Sequence, residues 1–184
     1  GLGFSLLTGG YLFYLAKTTN VKDLQNALKA TTIIYDKNGD QAGSLTGQKG
    51  TYVELDAISE NLQNAVVATE DRSFYKNSGI NYGRFFLAIL TLGRSGGGST
   101  ITQQLAKNAY LSQDQTVERK AKEFFLALEI NKKYSKKEIL TMYLNNAYFG
   151  NGVWGIEDAS KKYFGVSASQ LSLDQSAVLA GMLK

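Results

Sequence analysis

The chain is 184 residues long, 43% hydrophobic and 20% charged, with a net charge of +4 and neither histidine nor cysteine. Those two absences exclude histidine-based nucleophile triads, cysteine nucleophiles, disulfides and the usual zinc sites, so any proton transfer falls to Asp, Glu, Lys or Tyr. The length suffices for one substantial core divided into a larger and a smaller lobe, and the positive balance suits an anionic partner such as nucleic acid, a membrane surface or a phosphorylated substrate.

The first segment, "GLGFSLLTGGYLFYLA", carries no charge before Lys17. It falls a little short of the roughly 20 residues that span a bilayer and reads as part of a transmembrane helix over residues 1–17. Residues 18–56 read as a linker: an amphipathic helix over 20–30, then "TTIIYDKNGDQAGSL", whose β-branched residues flank an Asn-Gly turn and predict a β-hairpin. "TYVELD" (51–56) adds a third strand to that expectation. From 57 to 184 almost everything reads as helix, and "AVLAGMLK" stops inside an apolar helical pattern, as in a domain truncated at its C-terminus.

Ser59 caps a helix whose apolar positions Ile58, Leu62, Ala65, Val66 and Thr69 keep helical spacing and deliver Glu70 near its C-terminal end. "YGRFFLAILTL" is apolar nearly all round, hence buried or facing a membrane. After the loop "GRSGGGST", Thr100 and Gln103 form a capping-box pair, as do Ser135 with Glu138 and Ser172 with Gln175. The helix around "WGIEDASKKYFG" ends at Gly165. Between the loop and Ser135 a helix runs from about 115 to 134, with Val117, Ala121, Phe124, Phe125, Ala127 and Leu128 on its core arc.

On that helix Glu123 projects between Ala127 and Ile130, with Arg119 one turn before it and Lys120 intruding on the apolar arc. Charges on a face that ought to be buried are either paired, here as Arg119 with Glu123, or open to a cleft. Glu70 and Asp71 raise the same alternative. A carboxylate at a helix C-terminus feels the negative end of the dipole, which suits a proton acceptor, whereas a loop acid would pair with Arg72 or Lys76. "GGGST" before a capped helix is compatible with an anion cradle that Lys107 extends, and equally with a plain connection; it lacks the Lys-Ser/Thr ending of a Walker loop.

The combination is more specific than its parts. "EDRSFYKNSG", "GGGSTITQQLAKN", "RKAKE" and "KKEILTMYLNNAYFG" occur in this order, and together they resemble the peptidoglycan glycosyltransferase domain of class A penicillin-binding proteins and monofunctional transglycosylases, glycosyltransferase family 51. The first family motif usually reads Glu-Asp-x-x-Phe-x-x-His-x-Gly, and here Asn77 stands at the His position; Gln175 stands where the family often carries Glu. Asn donates and accepts hydrogen bonds but does not titrate, so position 77 is not a proton carrier in this chain.

The resemblance implies a mainly α, lysozyme-like fold with a small membrane-proximal lobe and a short β-hairpin. It implies polymerisation of lipid II into glycan strands with inversion and release of undecaprenyl pyrophosphate, with Glu70 and Glu123 as the catalytic acids. Asp71, Phe74, Ser99, Gln103, Gln104, Lys107, Arg119, Lys120 and Asn145 form the substrate-binding set, Phe74 packing the wall and Asn145 bracing the cleft. No cofactor is obligatory, and a divalent cation such as Mg2+ at the pyrophosphate is compatible with the chemistry, though no dedicated ligand cluster shows. Implied partners are lipid II, the growing glycan, the membrane, a C-terminal transpeptidase domain and other cell-wall synthesis proteins, with the domain on the extracytoplasmic face of a bacterial membrane behind a single-pass anchor. Nucleic acid is disfavoured, because the Lys and Arg residues are spread over helices whose motifs are accounted for. The alternatives are a lysozyme-like lytic transglycosylase and a non-catalytic lipid-binding scaffold.

Overall fold

The computed structural model describes residues 10–11, 32–35, 41–45, 49–90, 99–108 and 117–183. The anchor expected over 1–17 (save Gly10 and Tyr11), the helix expected over 20–30 and most of the glycine loop lie outside these residues. Among the described residues no helix is long and apolar enough to cross a membrane.

Strand β1 (Thr32–Tyr35) pairs antiparallel with β2 (Gln41–Leu45), with Thr32 opposite Leu45, Ile34 opposite Gly43, and a register shift between Ile34 and Tyr35. The third strand expected at 51–56 does not form; the segment runs without regular structure into a short 3-10 turn, Leu55–Ala57. Its backbone is satisfied by a side chain instead. Val53 N–H donates to Asn145 Oδ1 at 2.9 Å, and Val53 C=O accepts from Asn145 Nδ2 at 2.8 Å. One amide thus supplies the two bonds a neighbouring strand would have given. The same segment is strapped further along by Lys49, whose Nζ lies 3.8 Å from the Trp154 ring centroid, and by Thr51 N–H, which donates to Asp158 Oδ2 at 3.3 Å. Between them, a Cβ on Gly50 would stand 2.3 Å from the Trp154 carbonyl oxygen, so only glycine lets the strap lie this close.

The helices follow as α1 (Glu60–Glu70), α2 (Tyr82–Leu90), α3 (Ile101–Asn108), α4 (Val117–Lys133), α5 (Lys136–Asn146), α6 (Ile156–Phe164) and α7 (Leu173–Met182). Their ends are set by the residues the sequence suggests. Ser59 Oγ accepts from Asn61 N–H and donates to Leu171 C=O, tying the start of α1 to the segment before α7. Reciprocal capping boxes join Thr100 with Gln103, Ser135 with Glu138 and Ser172 with Gln175. Each cap contributes about 1 kcal/mol. Gln175 accepts from the Ser172 N–H, a bond that Glu makes equally well, so the departure from the family residue leaves this helix start intact. Gly165 ends α6 in the left-handed conformation, φ 68°.

Helix α5 is the centre of the domain. Every residue from Ile139 to Asn145 is buried, and α3, α4 and α6 all pack against it, while α1 packs on α7 and α3 on α4. A helix enclosed on several sides needs no polar face, and its full burial of leucine, isoleucine and methionine contributes about 1.5–3 kcal/mol per side chain. On α4 the buried arc differs from the expected one. Glu123, Leu126, Ala127 and Ile130 are buried, whereas Ala121, Phe124, Phe125 and Leu128 are only partly covered. The neighbours α3 and α5 select which stripe of this helix is enclosed, and they select the one that contains the glutamate.

Candidate active site

Two adjacent carboxylates open the site where α1 ends. Glu70 is the last residue of the helix and Asp71 its C-cap, with φ −159° and ψ 81° turning the chain away. The turn sends the two side chains into different surroundings.

Asp71 is 3% exposed and accepts from Ile101 N–H at 3.2 Å, from Asn77 Nδ2 at 3.1 Å to each carboxylate oxygen, and from Ser73 Oγ at 3.4 Å. The Ile101 bond occupies one of the free donors at the start of α3, so the anion at that helix end is the chain's own Asp71. An anion cradle at "GGGST" would have to be built from the donors that remain. Neither Arg72 nor Lys76 pairs with Asp71; Arg72 Nε donates to the Ala68 carbonyl.

Asn77 organises the rest of the loop. Its Nδ2 serves Asp71 and Ser73 Oγ, and its Oδ1 accepts from Gly79 N–H at 3.0 Å and from Lys136 Nζ at 3.0 Å. Lys136 comes from the first turn of α5, and its Nζ also lies 4.9 Å from the centroid of the Phe74 ring. Burial lowers the Lys136 pKa from the ordinary lysine range, against the opposing pull of the Asp71 charge. Asn77 therefore works as a fixed donor and acceptor between an anion and a cation, a task that needs no titration. Thr100 Oγ closes the loop by donating to Gly79 C=O at 2.6 Å.

Glu70 is half-buried and faces α3. Gln104 Nε2 donates to Glu70 Oε2 at 3.3 Å, and Tyr143 OH, from α5, donates to Gln104 Oε1 at 2.9 Å. Burial, and then the Glu70 charge, push the Tyr143 pKa well above the usual tyrosine value, so the hydroxyl keeps its proton. Beside this corner lies a cleft of about 690 Å³ lined by Ala68, Thr69, Asp71, Arg72, Ser73, Asn81 and Arg84. Glu70's two sequence neighbours line it, and its cationic groups come from α2 and the turn after α1.

The second glutamate is carried by α4, which packs along α3. Glu123 is 9% exposed and pairs with Lys120 Nζ at 3.9 Å; the side chain of Arg119, its other expected partner, lies outside the described residues. Lys107 is exposed in the last turn of α3, and Ser99 is exposed just before it. Helix α3 thus touches the surroundings of both acids: it bonds Glu70 through Gln104 and packs along α4, which carries Glu123. Among the described residues no group of three or more acidic side chains is placed to hold a metal ion.

Phe74 and Asn145 have the buried surroundings that a wall residue and a bracing amide require. Phe74 and Asn145 are both 0% exposed, and Asn145 is engaged by Val53 and by Thr141 C=O at 2.8 Å. Gln103 spends its amide oxygen on the Thr100 cap, and Gln104 spends its amide on Glu70 and Tyr143. Phe74 and Asn145 therefore shape the site from behind, while Asp71 is buried by its hydrogen bonds and reaches the cleft only at its edge. Sequence reading assigned no role to Lys136 and Tyr143. The signal was their seven-residue spacing, which places an ammonium and a phenol on one stripe of a helix whose remaining residues from Ile139 to Asn145 are buried.

The comparisons agree with this architecture. The family model described as Transglycosylase matches residues 38–184. The chain is 80% identical over 184 residues to "Penicillin-binding protein 2a" of Streptococcus pneumoniae serotype 2 (strain D39 / NCTC 7466), covering 100% of this chain and 25% of that protein. It is 45% identical over 155 residues to "Penicillin-binding protein 1A" of Aquifex aeolicus (strain VF5), 82% of this chain and 21% of that protein, and 39% identical over 184 residues to "Penicillin-binding protein 1A/1B" of Bacillus subtilis (strain 168), 96% and 20%. The chain spans about a quarter of the length of these curated relatives. The chain belongs to the transglycosylase family, as a peptidoglycan glycosyltransferase domain of the penicillin-binding-protein type.

Proposed function

We propose that this domain polymerises lipid II, with Glu70 as the general base. In the proposed step the 4-hydroxyl of the acceptor sugar attacks the anomeric carbon of the growing chain. The new C–O bond forms as the bond to the lipid pyrophosphate breaks, with inversion, and the hydroxyl proton passes to Glu70. The observation that carries this reading is the asymmetric ligation of Glu70: Oε2 is held by Gln104, and among the described residues Oε1 has no hydrogen-bond partner. A carboxylate fixed by one oxygen and open at the other is oriented for proton uptake, a role that contributes roughly 10² to 10⁴ in rate.

Pyrophosphate is already a good leaving group and needs positive charge more than a strong acid. Lys107 on α3 and Lys120 beside Glu123 on α4 support that assignment, because fixed cations stabilise charge that develops as the bond breaks. Glu123 then positions Lys120 and balances its charge. Arg119 joins this cationic group, and Ser99 the donor pocket, by their place in the motifs. A Mg2+ would enter with the pyrophosphate oxygens, for which the described residues offer no cluster of three acids.

The lipid end of such a substrate requires an apolar approach. On α2, Tyr82, Leu87 and Leu90 are 47%, 50% and 81% exposed, an apolar edge next to the Arg72 and Arg84 cleft. We assign this edge to the outer leaflet of the membrane, with the catalytic domain on the extracytoplasmic side and a transpeptidase domain elsewhere in the full protein. Changing Leu87 and Leu90 to Asp should weaken binding of the full-length protein's soluble portion to vesicles; unchanged partitioning of a folded variant refutes the assignment.

The deciding experiment is polymerisation of purified lipid II by the full-length protein and its Glu70→Gln variant, both shown to be folded. Glycan strands from the parent and a loss of about 10² or more in the variant are expected. A variant as fast as the parent removes Glu70 from base duty.

A further inference from the structure

The reading of Glu70 as base leaves Tyr143 without a role, although its hydroxyl is placed two hydrogen bonds from the reacting carboxylate. The ring is 2% exposed in the middle of α5, and the hydroxyl donates to Gln104 Oε1, while the other end of that amide donates to Glu70 Oε2. The two ends of a glutamine amide have the same shape, so only their partners decide which end points where. A flipped Gln104 would set its oxygen against the Glu70 carboxylate. It would also turn its NH2 toward the phenol.

We infer that Tyr143 is a positioning residue for the transfer reaction: its O–H fixes the Gln104 amide so that an N–H always faces Glu70 Oε2, which holds Oε1 toward the substrate hydroxyl. The inference rests on Glu70 being the base. Tyr143 reaches neither sugar nor pyrophosphate in this role, because Gln104 stands between it and Glu70. The phenol suits the task better than a serine would. Its rigid ring is anchored among buried neighbours of α5, and the hydroxyl is held at the end of a side chain with two torsions. The proton stays on the oxygen across the working pH range, since burial and the nearby carboxylate both oppose ionisation. The donor therefore cannot turn into a second anion beside Glu70.

Tyr143→Phe in the full-length protein removes this O–H and keeps the ring. With purified lipid II as substrate, kcat should fall about tenfold or more, as expected for a misplaced catalytic group, with KM within about twofold of the parent. Gln104→Met, which removes the donor to Glu70 and leaves Tyr143 in place, should show the same pattern. The double variant should be no slower than Gln104→Met alone, because Tyr143 acts only through Gln104. A Tyr143→Phe protein with parental kcat overturns the inference, as does a loss that multiplies in the double variant or an effect confined to KM. Should Tyr143→Phe fail to fold, Gln104→Met alone decides: a KM-only effect would put Gln104 on the substrate and end the relay. Glu70→Gln separates the two readings. If it is as active as the parent, the base assignment falls; if it is inactive while Tyr143→Phe is unimpaired, only the positioning role falls.

Discussion

Glu70 and Asp71 are neighbours in sequence and opposites in use. Asp71 is buried, and four hydrogen bonds from Ile101, Asn77 and Ser73 occupy both of its oxygens. Glu70 is half-buried, and among the described residues it receives one bond, from Gln104. The first is spent on holding the loop, the end of α1 and the start of α3 together; the second keeps an oxygen in reserve. The helix end makes the difference. Glu70 keeps the helical backbone and points toward α3, while the extended φ of Asp71 swings the next side chain under the loop. A motif of two acids is thus one structural residue and one chemical residue, and burial with full ligation tells which is which.

The comparison can be broken most directly by exchanging the two roles. Asp71→Ala strips partners from the buried Ile101 N–H and the Asn77 amide, and should cost about 2–4 kcal/mol of stability, visible as a lower Tm with activity falling alongside the folded fraction. Glu70→Gln keeps an oxygen for Gln104 to donate to, so its stability should stay within about 0.5 kcal/mol of the parent while polymerisation collapses. Thermal melts of both variants beside lipid II turnover test this; a Glu70→Gln melt as low as that of Asp71→Ala would erase the distinction.

A smaller effect follows from the cation that answers Asp71. Lys136 has its pKa lowered by burial, so between its folded value and the 10.5 of an unfolded lysine the unfolded chain binds more protons. The stability of the parent should therefore rise with pH through that window, relative to a Lys136→Met variant that lacks the group. Denaturant unfolding of both proteins at neutral pH and near pH 10.5 measures it. Parallel pH dependences would mean that the ammonium is as well solvated in the fold as outside it.

Much of the local structure was legible before any coordinates. Ser59, Thr100, Ser135 and Ser172 announce helix starts by residue type and spacing, and the start each announces is observed, because a cap involves only residues within one turn. The paired acids and the glutamate of "RKAKE" were equally visible as charges in places that call for a reason. The third strand was misread because Val53 obtains its strand-like bonds from Asn145, 92 residues away, and no local pattern carries that information. The arc on α4 was misread for a related cause: Phe124, Phe125 and Leu128 are more apolar than the stripe that is buried, but α3 and α5 cover the other one.

What the sequence determined by itself is therefore the helical class, the caps, the order of the motifs and the family. These rest on short-range geometry and on residue identity. Only the tertiary structure decided that Asp71 bonds the start of α3, that Asn145 holds the backbone of Val53, and that Tyr143 reaches Glu70 through Gln104. Each of those is a contact between distant segments, fixed by which faces of α3, α4 and α5 meet, and a face is chosen by the free energy of the whole packing, not by the residues that lie on it.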